Sequence, residues 1–108
     1  MGTIKVDVAG AVARVTLDRP DRRNALTIPM LQALSSAMGD LGREPDVRAI
    51  VLSGAGSDFC AGADLSELED VRSRGRLLEF DRPLRHALGS IATHPVPVIG
   101  RASCRERV

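Results

Sequence analysis

The sequence predicts an α/β fold in which a β-sheet is layered with helices, and three observations support this prediction. Apolar and polar residues alternate in Ile4–Val8 and again in Val12–Leu17, which indicates two paired strands. Apolar residues between Ile28 and Leu41 recur every three or four positions, which indicates a helix with one buried face. The run "RAIVLSG" that follows is almost continuously apolar, as in a strand covered on both faces of its sheet. A chain of 108 residues is one small domain at most.

Turn and cap residues separate the elements of the first half. Ala9-Gly10-Ala11 lies between the two alternating segments and predicts a hairpin. The stretch "DRPDRRNA" (Asp18–Ala25) reads as a charged loop. Thr27 is placed to cap the first helix, Pro29 suits its first turn, and Gly42 is placed to end it.

The second half continues the alternation of strands and helices. Asp64 and Glu67 have the spacing of a capping box, which predicts a second helix from this point. A third helical pattern runs from Leu77 through Phe80 or Asp81, Leu84 and Leu88 to Ile91, and Pro83 within it predicts either a kink or a new start. The segment "HPVPVIG" reads as another buried strand, so Val96–Ile99 joins Ala49–Leu52 as a strand expected to be covered on both faces. The predicted order is β-β-α-β-α-α-β.

Composition excludes several classes of function. The net charge is +1 and no Trp or Tyr is present, so nucleic-acid binding is not expected. No apolar run reaches the ~20 residues of a membrane span and no signal peptide is evident, so we expect no membrane association and a cytoplasmic location. Cys60 and Cys104 are too few for a disulfide framework, and His86 and His94 lack metal-ligand spacing. We therefore expect no metal and surface positions for both histidines.

The stretch "SGAGSDFCAGADL" (Ser53–Leu65) is too small-sided to pack a core and too poor in reactive groups for side-chain chemistry. Its glycines fit neither a dinucleotide fingerprint nor a phosphate loop, because the required third glycine and lysine are absent. It could simply form a tight strand-to-helix turn. Alternatively it presents main-chain N–H groups at a helix N-terminus, where they carry about half a positive charge and would stabilise an oxyanion.

Two motifs at this spacing resemble the enoyl-CoA hydratase/isomerase family, also called the crotonase family. They are "VTLDRPDRRNAL" (Val15–Leu26) and "AIVLSGAGSDFCAGADL" (Ala49–Leu65), and "PVPVIG" (Pro95–Gly100) resembles the strand that follows in that family. The resemblance covers roughly residues 4–101. It implies the N-terminal half of a crotonase-like (ClpP/crotonase) layered fold and an enzyme that stabilises the enolate of a CoA thioester.

The resemblance also implies roles for particular residues. Ala63 occupies the position whose main-chain N–H is one of two oxyanion-hole donors. Ala61, Asp64 and Leu65 match positions that border the coenzyme A chain, and Arg23 and Ala25 are candidate contacts on its other side. Cys60 has no covalent role in this pattern. Coenzyme A would enter as part of the acyl-CoA or enoyl-CoA substrate, so no separate cofactor is expected.

The last residues depart from the family pattern. Residues 102–108 read "ASCRERV" and do not match the glycine-rich turn that would supply the second donor, so we expect a partial family domain over residues 1–101 and a non-matching segment over 102–108. The acid/base residues of the family also lie further on. The resemblance thus implies an N-terminal fragment that is inactive alone, with the full-length protein a homo-oligomer. The alternative is a non-catalytic acyl-CoA-binding or subunit-pairing module.

Overall fold

The computed structural model describes residues 2–56, 60, 62 and 64–101, the last of these by its backbone only. Four strands, one 3₁₀ turn (Pro20–Arg22) and three α-helices are present in this part of the chain. In chain order the strands and helices are β1 (Thr3–Ala9), β2 (Val12–Asp18), α1 (Ile28–Gly42), β3 (Ala49–Gly54), α2 (Leu65–Ser73), α3 (Leu78–Ala92) and β4 (Val98–Arg101). The predicted order of elements is confirmed.

The four strands form one sheet in the order β1-β2-β3-β4. The predicted hairpin is present: β1 and β2 are antiparallel, and Gly10 has a φ of +63° at the first position of their two-residue turn. β2 and β3 are parallel, as are β3 and β4, with Val15 opposite Leu52 and Ile50 opposite Val98. Parallel neighbours need a crossover, which α1 provides for the first pair and α2 with α3 for the second.

The core lies between one face of the sheet and the helices. Its buried members include Ala13, Val15 and Leu17 of β2, Ile50 and Leu52 of β3, Met30, Leu31, Leu34 and Met38 of α1, and Phe80 and Ala87 of α3. Val51 points to the other face and is partly exposed, and Ile99 of β4 is 56% exposed. The described part of the chain supplies a helical layer to one face of β3 and β4 only, so the expected cover of their second face would have to come from outside the described residues.

Helix α1 begins and ends where its sequence signals lie. The Thr27 hydroxyl accepts a hydrogen bond from the N–H of Met30 at 3.3 Å, and Pro29 lies in the first turn, where its missing N–H costs nothing. The helix ends at Gly42, as predicted.

Helix α3 runs continuously through Pro83, so the alternative of a new start there is wrong. Phe80 is buried and Leu84 and Ile91 pack against the core, as their spacing predicts. Leu77 and Leu88 are 47% and 55% exposed, and the prediction is wrong for these two positions. None of the helices in the described ranges is both long and apolar enough to cross a membrane.

The two histidines differ in their surroundings. His86 is exposed, as expected. His94 is half-buried, and the expectation of a surface position is wrong for it. Its Nε2 lies 2.8 Å from the carbonyl oxygen of Met38 and its Nδ1 accepts from the N–H of Val96 at 3.3 Å, so the ring joins the end of α1 to the segment that enters β4.

Candidate functional site

The loop after β3 contains two glycines whose backbone requires them. Gly56 has a φ of +80°, and a Cβ at that position would approach the Cβ of Pro20 to 3.1 Å. Gly62 has a φ of +106°. Both conformations are costly for residues with a side chain. The tight-turn interpretation therefore accounts for these two glycines, and the case for a site depends on what the loop contacts.

The two segments that the family resemblance places on opposite sides of one ligand lie side by side. The N–H of Leu26 donates to the carbonyl of Gly62 at 2.7 Å, and the N–H of Asp64 donates to the carbonyl of Leu26 at 2.8 Å. One residue at the end of the first motif thus holds the main chain on both sides of position 63. This pairing joins the "RRNAL" and "CAGADL" segments directly.

Cys60 takes part in the same loop. The N–H of Gly62 donates to Cys60 Sγ at 3.3 Å, and the residue is half-buried. The thiol therefore acts as a hydrogen-bond acceptor for a main-chain N–H.

Asp64 makes two different bonds with its two carboxylate oxygens. Oδ1 accepts from the N–H of Glu67 at 2.9 Å and caps α2, as predicted, while Oδ2 lies 2.6 Å from Nη1 of Arg19. The side chains of Arg19 and Asp64 are only 14% and 12% exposed. The N–H of Glu67, followed by the Arg19 guanidinium, holds the pKa of Asp64 below its usual 3.8.

Glu67 does not complete the predicted capping box. In that motif its carboxylate would accept from the N–H of Asp64, but this N–H is already bonded to Leu26. Glu67 Oε1 instead accepts from the N–H of Ile28, the first residue of α1, at 2.5 Å. The start of α1 is therefore capped from α2, and the reciprocal half of the predicted box is wrong.

Asn24 is a site residue that the sequence analysis missed. It is fully buried with a φ of +61°, a conformation that Asn tolerates better than most residues. Its Oδ1 accepts from the N–H of Arg19 at 2.8 Å, and its Nδ2 donates to the carbonyl of Ala55 at 2.9 Å. It ties the loop between β2 and α1 to the end of β3. An Asn within a charged loop is a weak signal for such a role, and Arg19 carried no local signal at all.

The structure places the remaining predicted residues as follows. Arg23 is exposed with a φ of +55°, and Ala25 is half-buried with its carbonyl accepting from Nη1 of Arg19 at 3.1 Å. Leu65, the first residue of α2, is 76% exposed. Ala61 and Ala63 lie outside the described residues. Among the residues that are described, no three His, Cys, Asp or Glu side chains are grouped to hold a metal ion.

Fold and loop together describe an α/β protein in which a glycine-containing segment joins a parallel strand to a capped helix and pairs with an earlier loop. The protein-family model "Enoyl-CoA hydratase/isomerase" matches residues 7–103 of this chain. This match covers most of the chain, which therefore belongs to the enoyl-CoA hydratase/isomerase family.

Individual relatives agree with this assignment. A Thermus thermophilus protein named "Putative enoyl-CoA hydratase" is 41% identical over 83% of this chain, which covers 36% of that protein. The crystal structure of an enoyl-CoA hydratase/carnithine racemase from Magnetospirillum magneticum matches with a TM-score of 0.88 at 35% identity. The match covers 95% of this chain and 39% of the Magnetospirillum chain. The crystal structure of an enoyl-CoA hydratase from Polaromonas sp. JS666 matches with a TM-score of 0.86 at 32% identity. The match covers 94% of this chain and 40% of the Polaromonas chain. These matches confirm the predicted crotonase-like fold, and the chain spans about two fifths of the solved relatives.

Proposed function

We propose that this chain carries the part of an acyl-CoA-processing enzyme of the hydratase/isomerase type that binds the CoA thioester, with the main-chain N–H of Ala63 polarising the thioester oxygen. The observation that supports this proposal best is the pairing of Leu26 with Gly62 and Asp64. It brings together the two motifs that the family resemblance places on the two sides of a CoA chain.

The neighbouring N–H groups are engaged, which makes the assignment to position 63 specific. The N–H of Gly62 donates to Cys60 Sγ and that of Asp64 donates to Leu26. On this proposal Ala63 supplies the donor, because the N–H groups on either side of it already have acceptors. Removing one such donor typically costs about 10²–10³ in rate.

The flanking residues have the exposure that a ligand contact requires. Arg23 is exposed and could meet an anionic phosphate of CoA, and Leu65 presents an apolar surface beside the same segment. Ala25 leaves room for the pantetheine between them, and Ala61 is assigned to the same border. Coenzyme A arrives as part of the substrate on this proposal.

Among the described residues, two carboxylates beside the loop are committed to structure. Asp64 caps α2 and pairs with Arg19, and Glu67 caps α1. Neither is placed to move a proton of the substrate. We therefore propose that the 108-residue chain binds an acyl-CoA without turning it over, and that turnover, the cytoplasmic location and the homo-oligomeric state belong to the full-length enzyme.

The experiment joins residues 1–101 to the region that follows the aligned segment in the Thermus thermophilus relative and measures hydration of a short-chain 2-enoyl-CoA. Ala63→Pro removes the N–H, so we expect a rate loss of at least about 10²-fold. The matched control, Cys60→Ser, should keep the rate within a few-fold. Circular dichroism checks that both variants are folded.

Two outcomes would contradict the proposal. A folded Ala63→Pro variant with full turnover would exclude the oxyanion role, and a folded but inactive Cys60→Ser variant would give the thiol a chemical role. A hybrid that binds the enoyl-CoA but never hydrates it would instead favour a non-catalytic acyl-CoA-binding module.

A further inference from the structure

Arg19 joins three segments that are distant in sequence. Its Nη1 lies 2.6 Å from Asp64 Oδ2 at the start of α2 and donates to the carbonyl of Ala25 at 3.1 Å. Its own main chain is bonded to Asn24 through both the N–H and the carbonyl, each at 2.8 Å. The guanidinium therefore contacts both segments that flank the proposed thioester site.

The Arg19–Asp64 pair differs from the ion pairs on the helices. Arg72 pairs with Glu69 within one turn of α2, and both side chains are 64% exposed. Exposed pairs of this kind contribute little to stability. A largely buried pair loses hydration on both ions, and replacing it by apolar residues is often neutral or stabilising. What a bond between buried charged groups does supply is a fixed direction and distance.

We propose that Arg19 is a positioning residue that holds Ala25 and Leu26 in register with Gly62 and Asp64, as the proposed thioester donor requires. This inference rests on the proposed function, because it names what keeps that donor in place. Arg19 acts on the two hydrogen bonds that Leu26 makes with Gly62 and Asp64. It does so because its guanidinium contacts the carbonyl of Ala25, the residue before Leu26, and the carboxylate of Asp64.

An arginine suits this position better than a lysine. Its planar fork can serve a carbonyl and a carboxylate while remaining rigid, whereas a lysine offers a flexible point charge. We therefore expect Arg19→Lys to restore only part of what Arg19→Gln removes.

The test is hydrogen exchange of the intact 108-residue chain at sub-micromolar concentration, below the range in which association is expected, followed by mass spectrometry of its segments. In Arg19→Gln, segments 20–26 and 62–68 should exchange about 10- to 100-fold faster, as expected for loss of bonds to a charged group. Segment 12–17 in β2 should change by less than about 2-fold. Arg72→Gln, which removes an exposed pair on the same helix as Asp64, should leave all three segments unchanged.

A second arm adds butyryl-CoA as the probe. We expect it to slow exchange of segment 62–68 in the wild type and in Arg72→Gln, and to lose this effect in Arg19→Gln. Absence of protection in the wild type would contradict the proposed function, while exchange without ligand still decides the role of Arg19. Unchanged exchange of segments 20–26 and 62–68 in folded Arg19→Gln would overturn the positioning role. Equal acceleration of segment 12–17 would overturn it as well, since Arg19 would then act on global stability alone. If Arg19→Gln does not fold, Arg19→Lys is judged by the same criteria.

Discussion

Replacing Asp64 separates two contributions that one side chain makes to stability. Asp64→Asn keeps an oxygen that can accept from the N–H of Glu67, and Asn is a good N-cap, but it removes the charge that faces Arg19. Asp64→Ala removes the cap and the charge together. The difference between the two variants measures the cap, and the loss in Asp64→Asn measures the ion pair.

The magnitudes follow from the burial of the pair. Hydrogen bonds to charged groups contribute about 1.5–3 kcal/mol. The side chains of Arg19 and Asp64 are 14% and 12% exposed, so we expect Asp64→Asn to cost about 2 kcal/mol. Loss of the cap adds about 1 kcal/mol, so Asp64→Ala should be destabilised by about 3 kcal/mol. Glu69→Gln removes an exposed partner on the same helix and should change stability by less than about 0.5 kcal/mol.

Urea unfolding followed by circular dichroism measures these differences as shifts of the midpoint. With a slope of about 2 kcal/mol per molar urea, Asp64→Asn should lower the midpoint by about 1 M. If Asp64→Asn matches the wild type at pH 7, the ion pair does not stabilise the fold and the reasoning is wrong.

The pH dependence provides an independent check with a definite sign. The pKa of Asp64 is lower in the folded state than its usual 3.8, so its ionised form stabilises the fold. This contribution is fully present above the unfolded value and is lost as the pH falls through the folded pKa. The difference between wild type and Asp64→Asn should therefore be constant from neutral pH down to about 5 and shrink below 3.8. A difference that stays constant below pH 3.8 would show that the charge of Asp64 is not its source.

Two further predictions use the same chain. Asn24→Ala should be destabilised by about 2–4 kcal/mol, because it removes the side chain that bonds the Arg19 N–H and the Ala55 carbonyl. Asn24→Gly should lose about 1 kcal/mol less, because glycine tolerates the positive φ at this position. Equal losses of the two variants in urea unfolding would contradict the contribution of backbone strain. The exposed apolar residue Ile99 lies on β4, at the edge of the described sheet. We therefore expect the chain to associate at micromolar concentrations and Ile99→Lys to reduce that association. Sedimentation of the wild type as a monomer would contradict this prediction.

Local signals in the sequence predicted most elements of the fold. The hairpin at Gly10, the cap at Thr27 and the end of α1 at Gly42 all depend on bonds and conformations within a few residues. The hydrophobic periods of β2 and α1 likewise appear as their buried faces. These features were predictable because the interacting groups are close in the chain.

The periodicity failed where the partner surface decides burial. Phe80, Leu84 and Ile91 of the predicted pattern contact the core, whereas Leu77 and Leu88, which fit the same spacing, are exposed. The apolar runs of β3 and β4 suggested cover on both faces, while the helices lie on one. A pattern shows how apolar residues repeat, and it does not show which neighbour is available to cover them.

The candidate site likewise has features that the sequence predicted and features that depend on tertiary contacts. The sequence by itself determined the two motifs, the glycines of the loop and Asp64 as the cap of α2, because composition, spacing and family resemblance are properties of the chain. Only the tertiary structure decided that Asp64 also binds Arg19, that Glu67 caps α1 rather than its own helix, and that Leu26 bonds to both sides of position 63. Each of these bonds joins residues at least 36 positions apart, and their donors and acceptors are polar groups that occur throughout the chain. Their pairing follows from the packing that brings the start of α2 against the loop before α1.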